Sequence, residues 1–165
     1  MRKRLRRKFS ILTLLFLLLI FSFPLPVFAQ TRVDFSSMKD FFKDAKMGDK
    51  LAGDIADNSI PDPYNEGRGR LLGYKLVLPK DVDPKNVNVK VKSCQILIAS
   101  LCMGDSFSER VYVFDAKYNP LADSFDKTVD FSRFKMPDDR VFYILVGSAD
   151  KVSSSGKFVF SVGLK

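Results

Sequence analysis

The sequence predicts an all-β protein: an antiparallel two-sheet β-sandwich of about seven strands, jelly-roll-like, behind one short N-terminal amphipathic helix. Three observations carry that expectation. Past Gly48 the apolar residues recur at every second position. Val87, Val89 and Val91 against Asn88, Lys90 and Lys92 is the pattern of a strand with one wet face. Turn residues interrupt the chain at short, even spacing with no helical stretch between strands, so no helical crossover can join parallel neighbours. Sixteen phenylalanines and no tryptophan supply a thick aromatic core.

Residues 1–29 read as a secretory signal peptide. Met1–Lys8 carries six basic residues, an apolar run follows from Ile11 to Phe23, and Val27-Phe28-Ala29 ends it with small residues at the −3 and −1 positions. The apolar run is shorter than the roughly 20 residues a spanning helix needs, so cleavage after Ala29 is expected over an uncleaved anchor. The formal net charge of +8 is mostly this leader. Six of the 27 basic residues lie in it, which leaves 21 basic against 19 acidic residues, or +2, for Gln30–Lys165. That balance gives no basic patch of the kind a nucleic-acid partner requires.

The segment 30–47 should hold the helix, over Asp34–Met47. Phe35, Met38, Phe41, Phe42 and Ala45 recur at three- and four-residue steps, Ser37 can cap the start, and Gly48 is a natural stop. The sandwich should occupy 48–165. Strands are expected at Lys50–Ala56, at Arg70–Leu78 and from Val87. The polar stretch "DNSIPDPYNEGRG", Asp57–Gly69, is a loop between the first two. After Val91 the alternation slips to Cys94, Ile96 and Ile98, which predicts a bulge or bend near Ser93. Further strands are expected at Arg110–Asp115, Thr128–Lys135 and Arg140–Gly147, and at the alternating Phe158, Phe160, Val162 and Leu164. The Arg140–Gly147 strand is apolar on both faces and should be central. Tyr118-Asn119-Pro120 reads as a hairpin turn, with Asn tolerating the turn geometry and Asp115 closing the strand before it.

Cys94 and Cys102 are the chain's two cysteines. In an exported protein an even pair is read as a disulfide, and the segment "QILIASL" between them must then bend back on itself. Two buried thiols are the alternative.

The stretches "GDKLAGDI", "LGYKLVLP", "NVNVKV", "VYVFDAKYNPLADSF", "FKMPDDRVFYILVGS" and "GKFVFSVGL" together resemble the bacterial pre-peptidase C-terminal domain over about residues 48–165. Tyr74, Val111–Leu121, Val141–Val146 and Gly156–Val162 stand at that family's strand and hairpin positions. The family's glycine before the late aromatic strand is replaced here by Pro137-Asp138-Asp139-Arg140. The resemblance implies a small secreted β-sandwich with a non-catalytic, accessory or binding role.

The chain has no histidine, which removes the commonest general base and transition-metal ligand. "SSSG" at 153–156 is a turn, and "NEGRGR" lacks the lysine and the following helix of a phosphate loop. No catalytic residue is assigned. Calcium is the one ion to consider, through hard oxygens of Asp57, Asp62 and Glu66, with Asn58 and Asn65, and of Asp81 and Asp83. Neither loop has EF-hand spacing, and these residues are read first as turn formers, so no cofactor is expected. Tyr64 and Tyr118 are candidate stacking residues for a glycan.

The function expected is a secreted or periplasmic, non-catalytic binding or accessory module that recognises a protein or glycan of the envelope or extracellular space. Membrane contact is expected only through the uncleaved signal peptide. Two alternatives remain: a structural envelope protein docking through the Asp34–Met47 helix, and a cryptic hydrolase using carboxylates.

Overall fold

Period-two burial governs the computed structural model, which describes residues 40–55, 60–62, 69–122, 126–149 and 156–165, all within the unit Val33–Lys165. The strands are β1 (Phe42–Ala45), β2 (Lys50–Ile55), β3 (Ile60–Pro61), β4 (Arg70–Val77), β5 (Val87–Cys94), β6 (Ile96–Ile98), β7 (Leu101–Met103), β8 (Glu109–Phe114), β9 (Thr128–Asp130), β10 (Val141–Ser148) and β11 (Gly156–Leu164). One sheet runs β1-β4-β10-β8, with β3 also paired to β4. The second runs β2-β11-β5-β9, and β6 and β7 form a separate hairpin.

The two larger sheets pack as a sandwich. Tyr74, Leu76, Val111, Val113, Phe142, Ile144 and Val146 from the first meet Ile55, Val87, Val89, Val91, Phe158, Phe160 and Val162 from the second. Each large side chain so buried contributes about 1.5–3 kcal/mol. Gly53 makes room for this layer: a Cβ there would lie 2.3 Å from the Phe158 ring. The first sheet is apolar on its outer face too, where Leu71, Tyr112, Phe114 and Leu145 form a second cluster with Phe42. The strand expected to be central, β10, lies between β4 and β8.

Three expectations are corrected and one is narrowed. The C-terminal part of the expected helix is a strand: Phe42–Ala45 pairs with Gly73–Leu76, while residues 34–39 lie outside the described residues. Phe42 and Ala45 are buried on opposite edges of that pattern, and the lack of a Cβ at Gly73 lets the Phe41 and Phe42 rings lie over β4. The β1–β4 pair is parallel. No helix is needed for this, because β2, between them in sequence, crosses to the other sheet.

Of the bulge or bend expected near Ser93, the chain shows the bend, at Gln95, and β5 itself carries no bulge. Its pairing with β11 is unbroken from Val87↔Leu164 to Cys94↔Lys157. Ser93 simply takes an inward position with a polar side chain, and the chain leaves the sheet afterwards, at Gln95. Finally, the Thr128–Lys135 strand stops at Asp130. The Asp130 carboxylate accepts from the Ser132 amide (2.9 Å) and hydroxyl (2.7 Å), which turns the chain into a 3-10 turn over Phe131–Arg133 and tucks Phe131 into the core.

Candidate functional site

A short hairpin stands on the second sheet. Cys94 ends β5, Gln95 turns the chain, and β6 and β7 pair as Ile96↔Met103, Leu97↔Cys102 and Ile98↔Leu101 around Ala99-Ser100. The Gln95 amide donates back to the Met103 and Gly104 carbonyls at 3.1 and 3.2 Å. Ala99 adopts φ +54°, a left-handed conformation that closes the two-residue turn. The Cys94–Cys102 disulfide, with Cα atoms 5.2 Å apart, ties the returning strand to the end of β5. The expected doubling-back of "QILIASL" is therefore the geometry seen.

Directly opposed residues share a face. Leu97 and Cys102 turn toward the body and are half-buried. Ile96, Ile98, Leu101 and Met103 occupy the other face and are 53, 61, 60 and 43% exposed. Among the described residues six large hydrophobic side chains are exposed, and these are four of them. Four side chains at that exposure form an apolar patch on the order of a few hundred Å², a size at which a surface patch is often functional.

The hairpin's foot is built from polar contacts. The buried Ser93 donates its hydroxyl to the Phe107 carbonyl at 2.8 Å and receives the Ser106 amide at 3.3 Å, while its own amide donates to Glu109 Oε1 at 2.6 Å. Lys92 Nζ reaches the Cys102 carbonyl at 3.5 Å. Gln95 Nε2 donates to the Asp105 carbonyl at 3.1 Å.

Of the residues singled out in the sequence, the cysteines belong to this hairpin, and Asp62, Asp81, Asp83 and Tyr118 lie in other segments. Asp57, Glu66 and Tyr64, with Asn58 and Asn65, lie outside the described residues. Asp62 is fully buried and accepts from the Tyr112 hydroxyl at 3.2 Å. Burial first, then the Asp62 charge, push that phenol up to about 12. Asp83 caps the 3-10 turn Pro84–Asn86 by accepting the Lys85 amide at 3.0 Å, and Asp81 is exposed. Among the described residues no three Cys, Asp or Glu side chains cluster in a way that could hold a metal ion.

Tyr118 stacks on Tyr143, ring centroids 4.6 Å apart, and lies 6.2 Å from Phe42. It is Tyr118, at φ +59°, that takes the left-handed position of its turn. Asn119 instead donates its amide and side chain to Asp115, both at 2.8 Å. The chain returns beside β8 through the Leu121 amide, which donates to the Val113 carbonyl.

The apolar hairpin face was missed from the sequence because period-two apolar residues read equally well as a buried strand. The signal present was the pair of cysteines flanking a run with no charged residue. No protein-family model matches this chain, and no curated protein matches it.

Proposed function

We propose that this chain is an exported, non-catalytic binding module, similar in architecture to pre-peptidase C-terminal domains, that engages its partner through the apolar face of the β6–β7 hairpin. The carrying observation is the double pair Ile96–Met103 and Ile98–Leu101, turned to solvent on an element that a disulfide holds in place. Ordering the binding element before contact lowers the entropic cost of binding. The basic, apolar and small-residue succession of residues 1–29 supports export, and a disulfide suits an oxidising compartment. The absence of histidine supports a role without catalysis, since proton transfer at neutral pH would fall to a strongly shifted carboxylate, lysine or tyrosine.

The test is retention of the exported protein on the envelope fraction of its own cells. Ile98→Ser/Leu101→Ser, which leaves the core and the disulfide untouched, is expected to lower retention at least tenfold. Equal retention of the variant and the wild type would overturn the reading.

A further inference from the structure

We infer that the hairpin is an interfacial anchor that inserts into an anionic lipid surface. The inference rests on the binding-module reading and names the partner of that same hairpin. It also extends membrane contact beyond the signal peptide.

The shape and chemistry of the patch select a lipid partner. From Gln95 to Gly104 the chain carries no charged residue, and the four large side chains of the outer face, Ile96, Ile98, Leu101 and Met103, are aliphatic or thioether, with Gln95 and Ser100 as the exposed neutral polar groups at its two ends. Protein interfaces concentrate their energy in Trp, Tyr and Arg, and this face has none of them. Strands β6 and β7 are three residues each, too short to template an added strand from a peptide. Three residues rise about 10 Å, which matches the 5–10 Å to which interfacial elements sink into the headgroup and acyl boundary. A second copy of the chain fits poorly. Two such faces pressed together would bury well under the roughly 1,200–2,000 Å² of a stable interface.

Charge complementarity points the same way. The outer face of the sheet beneath the hairpin is set by register: Lys50 and Lys90 both oppose Ser161, and Lys157 opposes both Cys94 and Asp54. With Lys92, these are four exposed lysines against Asp54, the Asp130–Lys165 ion pair at the β9 edge and, at the hairpin's foot, Asp105. An uncharged tip with a net basic surround behind it places apolar groups below the headgroups and ammonium groups among them.

The chain has no tryptophan, so Leu101→Trp gives a reporter at the tip alone. Protein purified from cells expressing the whole sequence is mixed with vesicles of phosphatidylcholine, with and without one-third phosphatidylglycerol. On the anionic vesicles the Trp emission is expected to shift blue and to be quenched by lipids brominated near the headgroup end of the chain. Cosedimentation should fall at least tenfold in Ile98→Ser/Leu101→Ser and weaken with added salt. Unmoved emission, or equal response to neutral and anionic vesicles, would overturn the inference even where the full chain sediments through its N-terminal segment. Unmoved emission together with hairpin-dependent envelope retention assigns the hairpin to a non-lipid partner and leaves the binding-module reading standing. If retention is also independent of the hairpin, both fall.

Discussion

Tyr74 lies flat on Phe160 across the sandwich, ring centroids 4.1 Å apart and planes 10° from parallel. The stack joins β4 of one sheet to β11 of the other. The Tyr74 hydroxyl is buried with no hydrogen-bond partner among the described residues, and burial raises its pKa. A buried hydroxyl without a partner costs about 1–3 kcal/mol. Tyr74→Phe keeps the stack and removes the hydroxyl, so it is expected to raise stability by about 1 kcal/mol. Urea denaturation checks this, and a loss of stability would show that the hydroxyl is satisfied in solution.

Ser93 occupies an inward position where strand alternation calls for an apolar residue. Ser93→Val restores that alternation yet strands the Phe107 carbonyl and the Ser106 amide. It is expected to cost about 2 kcal/mol. A neutral or stabilising valine, measured by thermal melting, would mean the foot of the hairpin does not depend on these bonds.

Arg140 holds φ +55°, and its guanidinium donates to the Pro79 and Val82 carbonyls at 2.7 and 2.9 Å. Two effects oppose each other. Arg140→Ala loses the bonds and keeps the strain, for a cost of about 2 kcal/mol. Arg140→Gly loses the same bonds but relieves about 1 kcal/mol of left-handed strain. Glycine should therefore sit between alanine and wild type in denaturation midpoint.

Low pH should loosen two turns. At Asp115 burial opposes the charge, but donation from the Asn119 side chain and from the Asn119 and Lys117 amides outweighs it and holds the carboxyl below its usual range. Asp130, bonded to Lys165 and Ser132, falls from 3.8 to about 2. A depressed carboxyl adds stability above its unfolded pKa and loses it as pH falls through the folded one. The thermal midpoint is expected to drop between about pH 4 and pH 2, and Asp130→Asn should flatten the lower part of that drop.

Removing the disulfide with Cys94→Ser/Cys102→Ser is expected to cost about 2–3 kcal/mol on chain-entropy grounds. Amide exchange should quicken most across residues 96–103, with β10 and β11 changing only as global stability does. Uniform quickening would show the hairpin to be no separate unit.

The strands were legible where one face is wet and one dry, as at Val87–Val91, and where both are dry, as at Val141–Gly147. Asp130 was harder, because a carboxylate that turns the chain onto the next serine looks like any polar strand position. Phe41, Phe42 and Ala45 mimic a helical face because β1 is four residues long. Phe42 and Ala45, three apart, lie on opposite faces of the strand, Phe42 in the outer cluster and Ala45 in the core, and a sheet dry on both sides turns that pair into an apparent helical step. The exposed hairpin was illegible for a related reason: periodicity reports which residues share a face, and only the disulfide's placement decides which face meets the body.

The sheet orders carry a consequence for how the chain is made. β10 lies between β4 and β8, and β11 lies between β2 and β5, so the middle of each sheet comes from the C-terminal end of the sequence. A ribosome releases the N-terminal part first, and until residues 141–165 have emerged neither sheet has the strand that joins its halves. The growing chain is thus held open by its own topology. Emergence of residues 141–165 is the event that lets both sheets lock.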